Sequence, residues 1–158
     1  MSYLDSLNLL QPLMVSALKI DYNPLVYNAK DISTDIENKI DSKWSELTNK
    51  NDKILFNDLK FRLYASKIND NKQLELKLGL TDYKHFIGTQ QSLPDITCQL
   101  QSLGKQVYSD DRAYLSYPLG VGLLLITSDN KIVLLKRSLS CAESPEIFDR
   151  PGGHPEPK

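Results

Sequence analysis

A chain of 158 residues, 41% hydrophobic and 25% charged, is long enough to bury a core and has the make-up of a globular domain, which excludes a disordered tail or a fibrous repeat. Its 19 lysines and arginines balance 20 acidic residues without forming a basic block, which argues against a dedicated nucleic-acid or anionic-membrane binder. Cys98 and Cys141 lie far apart, and His85 and His154 show no ligand spacing to them, so neither a zinc site nor a disulfide framework is expected.

The opening stretch, MSYLDSLNLLQPLMV, has an aspartate where an export signal carries positive charge and offers no small-residue cleavage site. The longest apolar run, PLGVGLLLI at 118–126, falls far short of the roughly 20 residues that span a bilayer, so a soluble, cytoplasmic protein is expected.

Alternation at 25–27 (LVY) reads as a short strand in an otherwise irregular segment. Ile36, Ile40, Trp44 and Leu47 recur at helical spacing and predict a helix over 34–47. Thr34 and Glu37 have the form of a capping box, and Trp44 reads as a core anchor. Phe61, Leu63 and Ala65, then Leu74, Leu76 and Leu78, alternate with polar residues about the turn-rich NDNK and predict a β-hairpin. The polar segment 81–89 carries two aromatics, Tyr83 and Phe86. Leu93, Ile96, Leu100 and Leu103 then share a helical face, with Pro94 at its start and Gly104 at its stop. From Leu119 the texture changes to two dense apolar strands about a polar turn at 128–131, both expected to be buried on two faces. No internal repeat or low-complexity run interrupts the chain.

The strand end LLKRS, a loop of about ten residues and then DRPGGHPE form a specific order of parts. It resembles the Nudix hydrolases, whose catalytic box opens on P-G-G-x-x-E after such a hairpin. LFNDLKFRLY, LKLGLTDYKHFIGT, DDRAYLSYPLGVG and FDRPGGHPEP together are similar to the uridine diphosphate glucose pyrophosphatase branch of that family, over about Trp44 to Lys158. The fold implied is α/β of the α+β kind: an incomplete Nudix-type mixed sheet with flanking helices, preceded by an N-terminal α+β region. Residues 1–115 would be that region, contributing to substrate binding, and 116–158 the start of the Nudix domain.

The resemblance implies Mg2+-dependent cleavage of UDP-glucose or UDP-galactose to UMP and a sugar 1-phosphate. Such a reaction needs metal ions to neutralise the diphosphate, carboxylates to hold them and an activated water. In the family those carboxylates follow the pattern R-E-x-x-x-E-E after the glycines. The six glutamates here (37, 46, 75, 143, 146 and 156) contain no adjacent pair. The chain is therefore expected to be the N-terminal part of a longer enzyme, inactive by itself, with no catalytic residue inside it. The alternatives are a noncatalytic uridine-nucleotide-sugar binding module and a scaffold that keeps only the fold.

Substrate contacts implied by the resemblance fall on Phe56, Tyr83, Arg137, Ala142, Asp149, His154 and Glu156. Phe56 and Tyr83 suit stacking on uracil, with core packing as the plainer alternative for both, though less for Tyr83, which sits in a polar loop. Arg137 offers a planar cation for a phosphate oxygen, or else a solvated strand end. Asp149 suits a sugar hydroxyl or the uracil N–H, or else forms a turn beside Pro151. Ala142 would act through its main chain. His154 and Glu156 sit in the box loop, suited to a phosphate oxygen and to sugar hydroxyls or metal, and the main-chain carbonyl of Gly152 is the implied metal ligand.

Overall fold

Residues 13–49, 55–91, 93–141 and 143–157 are described by a computed structural model of the chain. A 3-10 turn, Val15–Ala17, leads into β1 (Leu18–Tyr22), followed by α1 (Pro24–Tyr27) and α2 (Thr34–Thr48). The strands β2 (Leu59–Ile68) and β3 (Leu74–Asp82) run into α3 (Tyr83–Phe86), a π-helical segment Ile87–Gln91, and α4 (Pro94–Tyr108). Four two-residue strands follow: β4 (Val121–Gly122), β5 (Leu135–Lys136), β6 (Phe148–Asp149) and β7 (Gly152–Gly153). Helices mixed with small sheets make this an α+β fold.

The main sheet has the order β1-β3-β2, with β1 parallel and β2 antiparallel to β3. The expected hairpin closes through Asn69, whose Oδ1 accepts from the amides of Asn71 and Gln73 at 3.0 and 2.9 Å. A register shift between Leu63 and Ala65 bulges β2 at Tyr64, whose ring stacks on Tyr27 at 5.0 Å. All of β1 is exposed, so its place at the edge rests on main-chain pairing with β3 rather than on burial.

Helices α2 and α4 close over a core of Ile36, Ile40, Ile96, Leu100 and Leu115. The helix expected over 34–47 is present, but Thr34 is its first residue rather than its cap. Ser33 occupies the cap position without a side-chain bond, so the capping box is not formed. Trp44 is half-buried at the margin of the core, edge-on to Tyr83, and does not anchor the interior.

Other expectations are corrected. Residues 25–27 are helical, because Asn23 followed by Pro24 at the first helical position starts a turn that outweighs the alternation of LVY. Gly104 does not end α4. It lies inside the helix, buried, and a Cβ there would stand 2.5 Å from the Asp110 carbonyl, so the glycine lets the returning chain approach the helix closely. The helix ends at Ser109, whose left-handed φ of 56° supplies the stop. In the apolar stretch after 120, an isolated bridge joins Ile126 to Ile132 about the turn, but the two strands are not sandwiched. Leu123, Leu124, Leu125, Ile126, Leu134 and Leu135 are all more than half exposed. The runs pair partly with the tail instead, β4 with β7 and β5 with β6.

Arg62 joins the sheet to the rest. It is fully buried on β2, and its Nε, Nη1 and Nη2 donate to the carbonyls of Leu115, Tyr27 and Arg112 at 3.0, 2.8 and 2.7 Å. Burial, with Arg112 nearby, pulls its pKa down to about 10, and the guanidinium stays charged at neutral pH. Residues 117–119 then lie along β2, with Leu63 N donating to Tyr117 O at 2.9 Å and Leu119 N to Phe61 O at 2.7 Å. That path carries the chain toward the glycine loop.

Candidate functional site

The site is built outward from α3. Asp82 caps this short helix, its carboxylate accepting from the His85 amide at 2.8 Å. The Tyr83 hydroxyl donates to Glu143 Oε1 at 2.7 Å, and its ring lies 6.5 Å from that of His154. Phe86 meets the same imidazole edge-on at 5.5 Å, and Trp44 meets Tyr83 edge-on at 6.3 Å. Burial, then the hydrogen bond to Glu143, raises the Tyr83 pKa, so this phenol stays protonated across the physiological range.

Glu143 continues the chain of contacts. Its main-chain carbonyl accepts from Arg137 Nε at 3.0 Å, and Arg137 Nη1 reaches Asp149 Oδ2 at 3.3 Å. Arg137, Glu143, Asp149, Gly152 and His154 line one open cleft of about 230 Å3. Its geometry depends on the glycine pair. Neither glycine has a positive φ, so the pair does not make the tight turn that P-G-G suggests. Gly152 instead faces Gly122 across β4 and β7, where a Cβ would collide with the Val121 carbonyl and stand 2.9 Å from Gly122 Cα. The side chain of Arg150 lies over Gly122, filling the space that a Cβ would need.

Tyr83, Arg137, Asp149, Gly152 and His154 are thus brought together, with Tyr83 behind the cleft and the others along it. Glu156 turns to β2, where its carboxylate binds Lys60 Nζ. Phe56 is 69% exposed, and no aromatic ring meets it among the described residues; its neighbour Asn57 is tied to α3 by accepting from the Lys84 amide at 2.8 Å. Ala142 lies outside the described residues. Glu143 was not foreseen, although it is adjacent to Ala142: nothing in its local pattern distinguishes it, and its role comes from a contact with Tyr83 across 60 residues of sequence.

Among the described residues, no three His, Cys, Asp or Glu side chains assemble so as to hold a metal ion. Asp149 is engaged by Arg137 and by the Arg150 amide, and Glu156 by Lys60. The described side chains do not by themselves make up a divalent-metal centre. The described residues also contain no helix long and apolar enough to cross a membrane. A larger cavity of about 410 Å3, lined by Asp31, Glu37, Asp82, His85 and Ser116 among others, lies on the α2 side of α3. Its polar groups are largely paired with one another, Asp82 and Glu37 with His85 and Ser116 with Thr81, whereas the smaller cleft is lined by three of the implied substrate contacts, Arg137, Asp149 and His154.

No family model matches the chain. The human protein uridine diphosphate glucose pyrophosphatase NUDT22 is 44% identical over 108 residues, which cover 66% of this chain and 35% of that protein. The Bos taurus protein of the same name is 44% identical over 108 residues, covering 66% and 37%. Nudix hydrolase 9 of Arabidopsis thaliana is 38% identical over 135 residues, covering 77% and 40%. The matched segment therefore spans only 35% to 40% of the length of these relatives. At this level of identity the chain is related to the uridine diphosphate glucose pyrophosphatases of the Nudix hydrolases.

Proposed function

We propose that this chain is the part of a UDP-sugar pyrophosphatase that recognises the uridine nucleotide, in an enzyme that splits UDP-glucose or UDP-galactose into UMP and the sugar 1-phosphate. The reading is supported by the convergence of Tyr83, Arg137, Asp149 and His154 about one cleft, in a chain 44% identical over 108 residues to a protein named for UDP-glucose cleavage. Residues 1–115 would contribute to substrate binding and 116–158 would begin the hydrolase domain, in a cytoplasmic protein.

The share of the reaction that these residues support is binding. Tyr83 supplies an aromatic face, and Phe56, exposed beside α3, is free to meet the other side of a base. Arg137 is anchored through Nε to the Glu143 carbonyl, while its Nη1 meets a half-exposed Asp149 at 3.3 Å, an ion pair worth about 0 to 1 kcal/mol, so a phosphate oxygen can displace the carboxylate at small cost. Asp149 is then released to accept from the sugar or the uracil N–H. His154 would donate to a phosphate oxygen, Glu156 would have to leave Lys60 to meet sugar hydroxyls or metal, and Ala142 would offer its main chain. Members of this family generally depend on a divalent metal; Mg2+ is the proposed ion, with the Gly152 carbonyl as one ligand. Because the described residues form no carboxylate set for it, the chain by itself is proposed to be inactive.

A coupled assay for glucose 1-phosphate in millimolar Mg2+, run on this chain beside the human relative, tests the division of labour. The expected outcome is chelator-sensitive turnover by the relative only, with measurable UDP-glucose binding by both. Chelator-sensitive turnover by residues 1–158 would overturn the binding-only role, and absence of UDP-glucose binding would overturn the reading of the cleft.

A further inference from the structure

The face of α3 opposite His154 carries a cluster that the cleft does not use. His85 Nδ1 lies 2.9 and 2.8 Å from the two carboxylate oxygens of Asp82, and its Nε2 lies 3.0 and 3.2 Å from those of Glu37 on α2. Lys84 Nζ reaches the same Glu37 at 3.2 Å and Asp41, one turn further along α2, at 2.7 Å. Lys30, Asp31 and Tyr114 line the cavity beside this cluster from the neighbouring loops. Only the imidazolium can donate from both ring nitrogens to both carboxylates.

We propose that His85 is a pH-responsive positioning residue that, as an imidazolium clamped between Asp82 and Glu37, fastens α3 to α2 and thereby holds Tyr83 and Phe86 against His154. The proposal rests on the uridine-nucleotide reading of the cleft for its functional consequence, but not for the clamp itself. α3 continues directly into the π-helical segment Ile87–Gln91, where Gly88 lies close against Ile40 of α2, so that end is fixed by packing, and the polar ties of His85 and Lys84 to α2 fasten the first turn, from which Tyr83 projects. Loss of the proton leaves one donor and one lone pair on the ring. A lone pair facing a carboxylate is repelled, so one of the two contacts must break. Asp82 sits on the same turn and is also held by the His85 amide at 2.8 Å, so the contact released is the one to Glu37. Lys84 then remains as the side-chain tie between the two helices in this cluster, and the packing of Trp44 on Tyr83 loosens. The direction of the His85 pKa agrees with this geometry. The hydrogen bond to Asp82 raises it, burial opposes the rise, and the charges of Asp82 and Glu37 add to it.

The composition provides the probes, since the chain has two histidines and a single tryptophan. Imidazole NMR titration of the full chain reads His85 and His154 separately, with His85→Gln assigning the signals. Glu37→Gln, which keeps the ring, should lower the His85 midpoint by about one unit, as expected when an adjacent opposite charge is removed. Trp44 fluorescence should follow the His85 midpoint in the wild type and lose that transition in His85→Gln. UDP-glucose, measured without divalent metal because its diphosphate does not titrate near neutrality, should bind about fivefold more weakly above the His85 midpoint than below it. In His85→Gln the step at that midpoint should vanish, with affinity near the weaker wild-type value. An unmoved His85 midpoint in Glu37→Gln, or a Trp44 transition that persists in His85→Gln, would overturn the clamp. If the clamp titrates as expected but UDP-glucose binds at no pH, the uridine reading of the cleft fails while the positioning of α3 stands. If UDP-glucose binds with the same pH step in both proteins, the functional role of His85 is refuted.

Discussion

The Tyr83 hydroxyl donates to Glu143 at 2.7 Å, and this bond joins the start of α3 to the loop after β5. Glu143 is held in turn by Arg137, so the phenol is part of the scaffold, while the half-buried ring packs beside Trp44, Phe86 and His154. The two roles separate by substitution. Tyr83→Phe removes one hydrogen bond, about 1 kcal/mol of stability, and should leave UMP affinity within about twofold. Tyr83→Ala should also lose the base contact, about 1 to 3 kcal/mol of binding. Isothermal titration of UMP beside urea unfolding distinguishes them; equal UMP affinity in both variants would remove Tyr83 from the binding surface.

The adjacent glycines of the P-G-G motif should respond oppositely to alanine. A Cβ on Gly152 collides with the Val121 carbonyl and crowds Gly122 Cα, main-chain atoms that cannot step aside, whereas a Cβ on Gly153 meets nothing within 4 Å. Gly152→Ala should cost about 1 to 3 kcal/mol as β4 and β7 are forced apart, and Gly153→Ala less than about 0.5 kcal/mol. Urea midpoints of the two variants, compared with the wild type, check the contrast. Equal losses would mean that the β4–β7 pairing does not set the requirement for glycine.

Arg62 should be the polar residue whose replacement costs most stability. Its three carbonyl partners belong to separate segments, at Tyr27, Arg112 and Leu115, and it is buried to 1% exposure. Arg62→Met leaves those acceptors without their donors and should cost about 3 kcal/mol or more, at about 1 to 3 kcal/mol for each buried group left unsatisfied. Arg62→Lys, with a compact head that cannot reproduce the fork, should recover only part of that loss. Thermal melts of the pair read the difference, and a near-native Arg62→Lys would show that charge rather than geometry matters.

Where burial and periodicity coincide, the sequence was legible. Ile36 and Ile40 marked α2, the alternation of β2 and β3 marked the hairpin, and both formed as expected. Where main-chain pairing or close approach decides, residue pattern was silent or misleading. LKIDY does alternate apolar and polar residues as a strand does, but burial does not follow the pattern, since every residue of β1 is exposed, and its parallel pairing with β3 is a tertiary choice. Gly104 looks like a helix stop in one dimension but is a packing glycine in three. The dense apolar runs after 120 predicted two covered faces, yet most of their side chains stand exposed. For the site, the resemblance to the Nudix family rather than residue pattern implied Tyr83, Arg137, Asp149 and His154, which lie about one cleft, and also Phe56 and Glu156, which do not line it. Glu143, which links two of them, has no signature of its own because its partners are distant in sequence.

Stability should depend on pH in two directions through one cluster. The folded pKa of His85 is raised, so its contribution is fully present below about 6.5, the unfolded value, and is lost as pH rises through the folded midpoint. For Asp82 the folded pKa is lowered, because its bonds to the His85 ring and amide together outweigh the opposing effect of burial, the largest single influence. Its contribution is therefore present above about 3.9 and is lost as pH falls through the folded value. Urea midpoints across pH should fall on the alkaline side in the wild type and lose that component in His85→Gln. An identical alkaline decline in both proteins would place the titrating group elsewhere.

The most direct measurement is a chemical-shift titration of the chain with UDP-glucose and with ADP-glucose, ligands that share the diphosphate and sugar and differ only in the base. Recognition through the Tyr83 face and the cleft predicts saturable shifts for the Trp44, Tyr83 and His154 signals with UDP-glucose, several-fold weaker binding of ADP-glucose, and loss of the UDP-glucose response in Arg137→Ala. Equal affinity for the two ligands, or shifts confined to the cavity beside His85 and Asp31, would contradict uridine recognition at this site.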